Sequence, residues 1–179
     1  MKTLRHYTLL TSAIALLASM NSVASETTIA VTAENFSHAE TARNYRNWAA
    51  QGANKMFVIM PGLPPRGKAA ATVQMNDDTL YGAAIAEAVD GKVSFSIPET
   101  DNYLAVQVVT ERGHGQQDVG EDGVYNLPVE SQYAFLIYRS GTENGIDAAK
   151  ANLGKGDVTD INVATSYKVQ PYDYDEVEK

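Results

Sequence analysis

The sequence predicts an α+β domain, an N-terminal helix packed on a mainly antiparallel β-sheet, with a short helix or helices towards the C-terminus. Three observations carry this expectation. Between Phe36 and Gly52 the apolar residues recur mostly three and four apart, the period of a helix face. From Met56 onward the pattern changes to short apolar runs and strict alternation, bounded by glycine and proline, as strands are. No internal repeat or interdomain linker interrupts these segments, so one sheet-centred domain is the economical reading.

The elements follow in order. Thr32 is placed to cap a helix whose first turn carries Ala33, Glu34 and Asn35. Phe36, Ala39, Tyr45, Trp48 and Ala49 form its apolar face, and Gly52 is its expected stop. Tyr45 and Trp48 read as core, Glu40 as a solvated flank, and His38 as a surface or packed imidazole rather than a base. "MFVIM" (56–60) is a short apolar run ended by Pro61 and Gly62, and "PGLPPRGKAA" is a proline loop that cannot enter a central ladder. Thr72 to Met75 and Leu80 to Ile85 read as strands joined by the loop Asn76-Asp77-Asp78-Thr79. "KVSFSIP" (92–98) alternates Val93, Phe95 and Ile97 against Ser94 and Ser96, a half-buried strand. "NYLAVQVVTE" (102–111) and "QYAFLIYRS" (132–140) are apolar on both sides, as buried strands are. "RGHGQQDVGEDG" between them reads as a long glycine loop. "GIDAAKANLGK" (145–155) reads as a short helix, with a further turn or short helix near Asp157–Ala164. The acidic ending after residue 170 reads as a frayed tail.

The amino terminus reads as an address. Lys2 and Arg5 precede an uncharged run from Tyr7 to Met20, and the small residues Ser22, Ala24 and Ser25 follow. That order is the one of a secretory signal peptide, and the run is shorter than the roughly 18 apolar residues of a spanning helix. The expected organisation is a signal peptide over residues 1–25, one domain over 26–170 and an acidic tail over 171–179, exported to the periplasm or secreted. The formal net charge is −8, and the leader removes two basic residues and no acidic one, so the mature chain is more acidic still. Such a surface repels phosphate backbones and anionic lipid, which argues against nucleic acid partners and against stable membrane insertion after cleavage. There is no cysteine, which excludes thiol catalysis, cysteine-ligated zinc and disulfides; the fold must be held by its core.

Motifs for known chemistry are sparse. The chain has no G-x-S-x-G elbow and no phosphate loop. Outside the leader the only histidines are His38 and His114. His114 stands between Gly113 and Gly115, where the backbone can present it to a ligand, although loop histidines are mostly exposed bystanders. Glu111 and Arg112 read as an ordinary strand-end pair. No metal and no cofactor is expected: a histidine zinc site lacks a third ligand, and the loop at 76–79 offers too few oxygens for calcium. That loop is nevertheless dense in hydrogen-bonding groups. If it is a structural turn, Asp78 bonds backbone N–H groups within it; if it serves a ligand, Asn76, Asp78, Thr79, Tyr81 and His114 are the candidate contacts.

"NFSHAET" (35–41), "VQMNDDTLYGAAIAEAVDGKVSFSIPETDNYLAVQVV" (73–109) and the glycine loop through "GVYNLP" resemble the family catalogued as domain of unknown function 1254. Asn35, Phe36, Ala39 and Glu40 match that family's first segment. Asn76, Asp78, Thr79, Leu80 and Tyr81 match its Pro-Asn-x-Asp-Thr-Leu-Tyr-Ser signature, and Pro98, Tyr103 and Gln107 match the strands that follow. Met75 replaces the signature proline, Gly82 its serine, and Asn102 a common arginine. Longer relatives carry a second, β-rich domain catalogued as unknown function 1214, which this sequence stops short of. The resemblance implies an α+β fold with the signature loop near a cleft, and no established activity. Three functions are carried forward. The first is a binding or accessory module acting on a small molecule or with a partner chain that carries the second domain. The others are a structural envelope protein without a ligand and a hydrolase of a small exported substrate using Asp78 and Tyr81.

Overall fold

The computed structural model describes residues 27–65, 75–113, 117–154 and 161–177. The signal segment, Thr72–Gln74, His114 and residues 157–160 fall outside them. The α+β architecture is as the periodicities require. Helix α1 (Phe36–Ala50) is followed by strands β1 (Val58–Ile59), β2 (Thr79–Glu87), β3 (Lys92–Ile97), β4 (Leu104–Thr110), β5 (Gln117–Val119), β6 (Gly123–Pro128) and β7 (Tyr133–Gly141). Helices α2 (Ile146–Gly154) and α3 (Tyr174–Val177) complete the chain. Five strands form an antiparallel sheet in the order β1-β2-β7-β4-β5, and β3 and β6 pair antiparallel as a second, two-stranded sheet.

The main sheet is covered on both faces, which is why β2, β4 and β7 read as nearly continuous apolar runs. Successive residues point to opposite faces, so each strand feeds two cores. Leu80, Ala84, Val106, Val108, Leu136 and Tyr138 pack on one side with Val93, Phe95 and Ile97 of β3 and with Ala149 and Leu153 of α2. Ala83, Ile85 and Phe135 pack on the other with Tyr45 of α1, Ala53 and Tyr167. Trp48 is partly buried there, its ring 5.8 Å from that of Phe135. Among the described residues no helix is long and apolar enough to cross a membrane.

Several expectations are corrected. Helix α1 starts at Phe36, not near Ala33, because Asn35 closes a turn ahead of it: its Oδ1 accepts from the Thr32 N–H at 2.7 Å and its Nδ2 donates to the Ala30 carbonyl at 3.0 Å. Thr32 therefore does not cap the helix, and Phe36 is 48% exposed. Part of the glycine loop is strand: Gln117–Val119 lies along the edge of β4, and Gly123–Pro128 pairs with β3. Of the turn or short helix expected near 157–164, the described part is extended. Val163 bridges Ala86, and the Ala164 N–H donates to the Ile85 carbonyl at 2.8 Å, so this segment continues the edge of β2 where β1 ends.

The described part of the acidic ending is also ordered by contacts. Tyr172 pairs with Ile29, through Ile29 N–H to the Pro171 carbonyl at 2.7 Å and Asp173 N–H to the Ile29 carbonyl at 2.9 Å. Just beyond, α3 rests against α1, with the Arg46 guanidinium 4.1 Å above the Tyr174 ring. Acidic composition predicted a solvated tail; the tyrosines between the acids give it a surface to dock.

Candidate functional site

Of the sequence candidates, Asn76, Asp78, Thr79 and Tyr81 gather at one end of the main sheet. Thr79 pairs with Gly141 and Leu104 pairs with Ser140, so β2 begins where β7 ends and β4 begins. A turn at Asp77–Asp78 leads into β2. Its bonding differs from the expected pattern. The Asp78 carboxylate accepts from its neighbour's Thr79 Oγ1 at 3.0 Å, while the Asp78 backbone carbonyl accepts from Thr142 Oγ1 at 2.6 Å. The Asn76 N–H donates to Tyr81 Oη at 2.8 Å. Thr79 and Tyr81 are each 5% exposed, so their hydroxyls serve the turn and face no open space. Beside it the Tyr103 N–H donates to Glu143 Oε1 at 2.7 Å, which holds that carboxyl below its ordinary range. Asn144 Nδ2 donates to Asn102 Oδ1, and the buried Asn102 Nδ2 has no partner among the described residues. Among the described residues no group of three or more His, Asp or Glu side chains is placed to hold a metal ion.

This geometry reverses the expected importance of Asp78 and Tyr81. Asp78 is exposed, so Asp78→Ala is expected to change stability by no more than about 0.5 kcal/mol, as surface substitutions do. Tyr81→Phe leaves the Asn76 N–H without its acceptor and is expected to cost about 1 kcal/mol. Paired urea melts read the difference, and a larger loss at Asp78 than at Tyr81 would show that the carboxylate, not the phenol, closes the turn.

Among the described residues, a cleft is found elsewhere. Thr110 pairs with Ala134 at the opposite end of β4, roughly 20 Å from Leu104 at about 3.3 Å per residue. There a cleft of about 210 Å³ is lined by His38, Thr41, Ala42 and Tyr45 of α1, by Glu111 and Arg112 just past β4, and by Tyr167, Gln170 and Tyr172. The spacing of 38, 41, 42 and 45 is one face of a helix. Gly113 seats the β4 end against it: at φ +67°, it leaves no room for a side chain, because a Cβ would lie 2.5 Å from Thr41 Oγ1. The third wall is the C-terminal segment that Ile29 holds in place.

Burial pushes the Glu111 carboxyl above its ordinary range, partly offset by the Tyr133 N–H, which donates to it at 3.4 Å. Tyr45 is raised well above the ordinary phenol range, first by burial and then by the Glu111 charge, and its Oη donates to the Val109 carbonyl at 2.9 Å. Tyr167 is raised for the same two reasons in the same order. His114 immediately follows the seated Gly113 in sequence and lies outside the described residues. From the sequence alone Glu111 and Arg112 read as a strand-end pair and Tyr45 as plain core. The available signal was Thr41, a polar residue in the middle of the helix's inward face.

Compared with known proteins, the chain matches no family model and no curated protein. Among solved structures it is similar to the VPA0106 protein from Vibrio parahaemolyticus, at 16% identity and a TM-score of 0.46 over 66% of this chain and 33% of that one. The chain thus spans a third of the length of the structure it matches, and a likeness at this level assigns no chemistry.

Proposed function

We propose that this chain is an exported binding module, similar to the domain of unknown function 1254 family, that takes a small molecule in the cleft between α1, the end of β4 and the C-terminal segment. The observation that carries the reading is Glu111, a half-buried carboxyl facing a cleft walled by tyrosines. Folding gains nothing from a desolvated carboxyl with one long hydrogen bond, and groups kept at such a disadvantage concentrate at functional sites. Two expected results test this. A fragment screen followed by amide chemical shifts should find molecules that move Ala42, Glu111 and Gly113 together; a diverse library that moves none of them would end the reading.

The second result concerns stability. Because the carboxyl is raised in the fold, its favourable contribution is complete below the unfolded pKa and is lost as pH rises through the raised folded pKa. Glu111→Gln should therefore melt about 1–3 °C above the wild type at neutral pH, with the gap closing in acid. A lower melting temperature for the variant at neutral pH would show that Glu111 serves the fold. Export rests on the Lys2, Arg5 and Tyr7–Met20 leader pattern. Mass spectrometry of the protein outside the cytoplasmic membrane should find a start near Glu26, and a product that keeps Lys2 would refute cleavage.

A further inference from the structure

We infer that the ligand of this cleft is a small organic amine, held by its ammonium group on Glu111 with an apolar or aromatic body against Tyr167 and Tyr172; the inference rests on the binding reading above. The hydrogen-bonding inventory of the lining points that way. Thr41 Oγ1 donates to the Ser37 carbonyl at 2.8 Å and Tyr45 Oη to the Val109 carbonyl at 2.9 Å, so both hydroxyls have committed their protons and can offer a ligand only lone pairs. Glu111 likewise accepts when ionised. Beside Glu111, Thr41 and Tyr45 a ligand is therefore best matched by a donor, and an ammonium brings three and a charge, while Arg112, Gln170 and the phenols of Tyr167 and Tyr172 can donate elsewhere in the cleft.

The charge matters as much as the protons. An anion would face Glu111 at close range and a chain of net charge −8, whereas a cation beside the half-buried carboxylate restores its ionised form. Tyrosine rings attract cations over their faces, and the adjoining segment already uses that contact, with Arg46 stacked on Tyr174. One group opposes the assignment in principle. Arg112 carries the same charge as the ligand but stands exposed, where solvent and salt screen it. His38 also lines the cleft from α1, and binding should weaken in acid as Glu111 takes up its proton.

The test uses three probes that share one body: 2-phenylethylamine, 2-phenylethanol and 3-phenylpropionate, titrated into the full chain at neutral pH and followed by amide shifts. The amine should bind at least about tenfold more tightly than the other two and move the amides of Ala42, Glu111 and Gly113. In Glu111→Gln the amine should lose about tenfold while the alcohol keeps its affinity, which also shows that the variant folds and retains the cleft. An amine preference that survives Glu111→Gln overturns the inference, as does a carboxylate that binds best; in both cases the cleft still binds and the broader reading stands. If none of the three moves those amides, the amine assignment falls, and the fragment screen alone decides whether the cleft binds anything.

Discussion

Replacing Tyr138 by alanine is expected to destabilise the protein by about 3–5 kcal/mol, the range for truncating a large buried aromatic side chain. The residue lies in β7, in the centre of the sheet, and is 1% exposed. Its ring meets that of Phe57 edge-on at 5.0 Å and that of Phe95 at 6.4 Å, and its Oη donates to the Ser96 carbonyl at 3.0 Å. One side chain thus ties the five-stranded sheet to β3 of the two-stranded sheet and to the segment entering β1. Alanine removes the ring contacts, leaves a cavity between two layers and takes the donor from Ser96. Tyr138→Phe separates the terms, since it keeps the ring and should cost only about 1 kcal/mol. Urea unfolding of the three proteins measures both. A loss below about 2 kcal/mol for alanine would mean that the layers close over the gap.

Gly82→Ser is expected to cost about 2–3 kcal/mol, the upper part of the range for forcing atoms into a filled core. Serine is what the resembling signature carries at this position, so the sequence alone makes the change look harmless. Gly82 sits in β2 between Ile59 and Tyr138 in the ladder, and a Cβ there would lie 2.5 Å from the end of the Phe57 ring. That ring is pinned by its edge contact with Tyr138, so it has little freedom to swing aside. The effect should depend on Phe57: in a Phe57→Leu background, Gly82→Ser should cost markedly less, a coupling that a double-mutant cycle reads directly. A full cost in both backgrounds would place the obstruction elsewhere.

These two residues mark the boundary between what was legible in the chain and what was not. The α+β class, helices α1 and α2, and strands β3, β4 and β7 follow from local period, because burying one stripe of a helix or both faces of a strand forces a pattern on neighbouring residues. Glycine at 52 as the stop of α1, and the turn before β2, were legible for the same local reasons. The short strands β5 and β6 were not. The three residues Gln117–Val119, two of them polar, become a strand only because β4 offers a free edge, and β6 only because β3 needs a partner. The docked ending escaped notice because composition counts its acids and cannot see Ile29 or Arg46 waiting for its tyrosines.

The candidate site divides in the same way. The sequence by itself determined that Asn76, Asp78, Thr79 and Tyr81 lie close together, since they are adjacent in the chain, but it could not say that Tyr81 accepts from Asn76 or that Thr142 anchors the turn. Only the tertiary structure decided that Tyr45, Glu111 and Tyr167 share a cleft, and that Phe57 forbids a side chain at residue 82. The physical reason is range. Periodicity reports how each segment meets an unspecified interior, whereas a cleft, a desolvated carboxyl or a filled gap depends on which distant segments meet, and that is set by strand order and register across the whole fold.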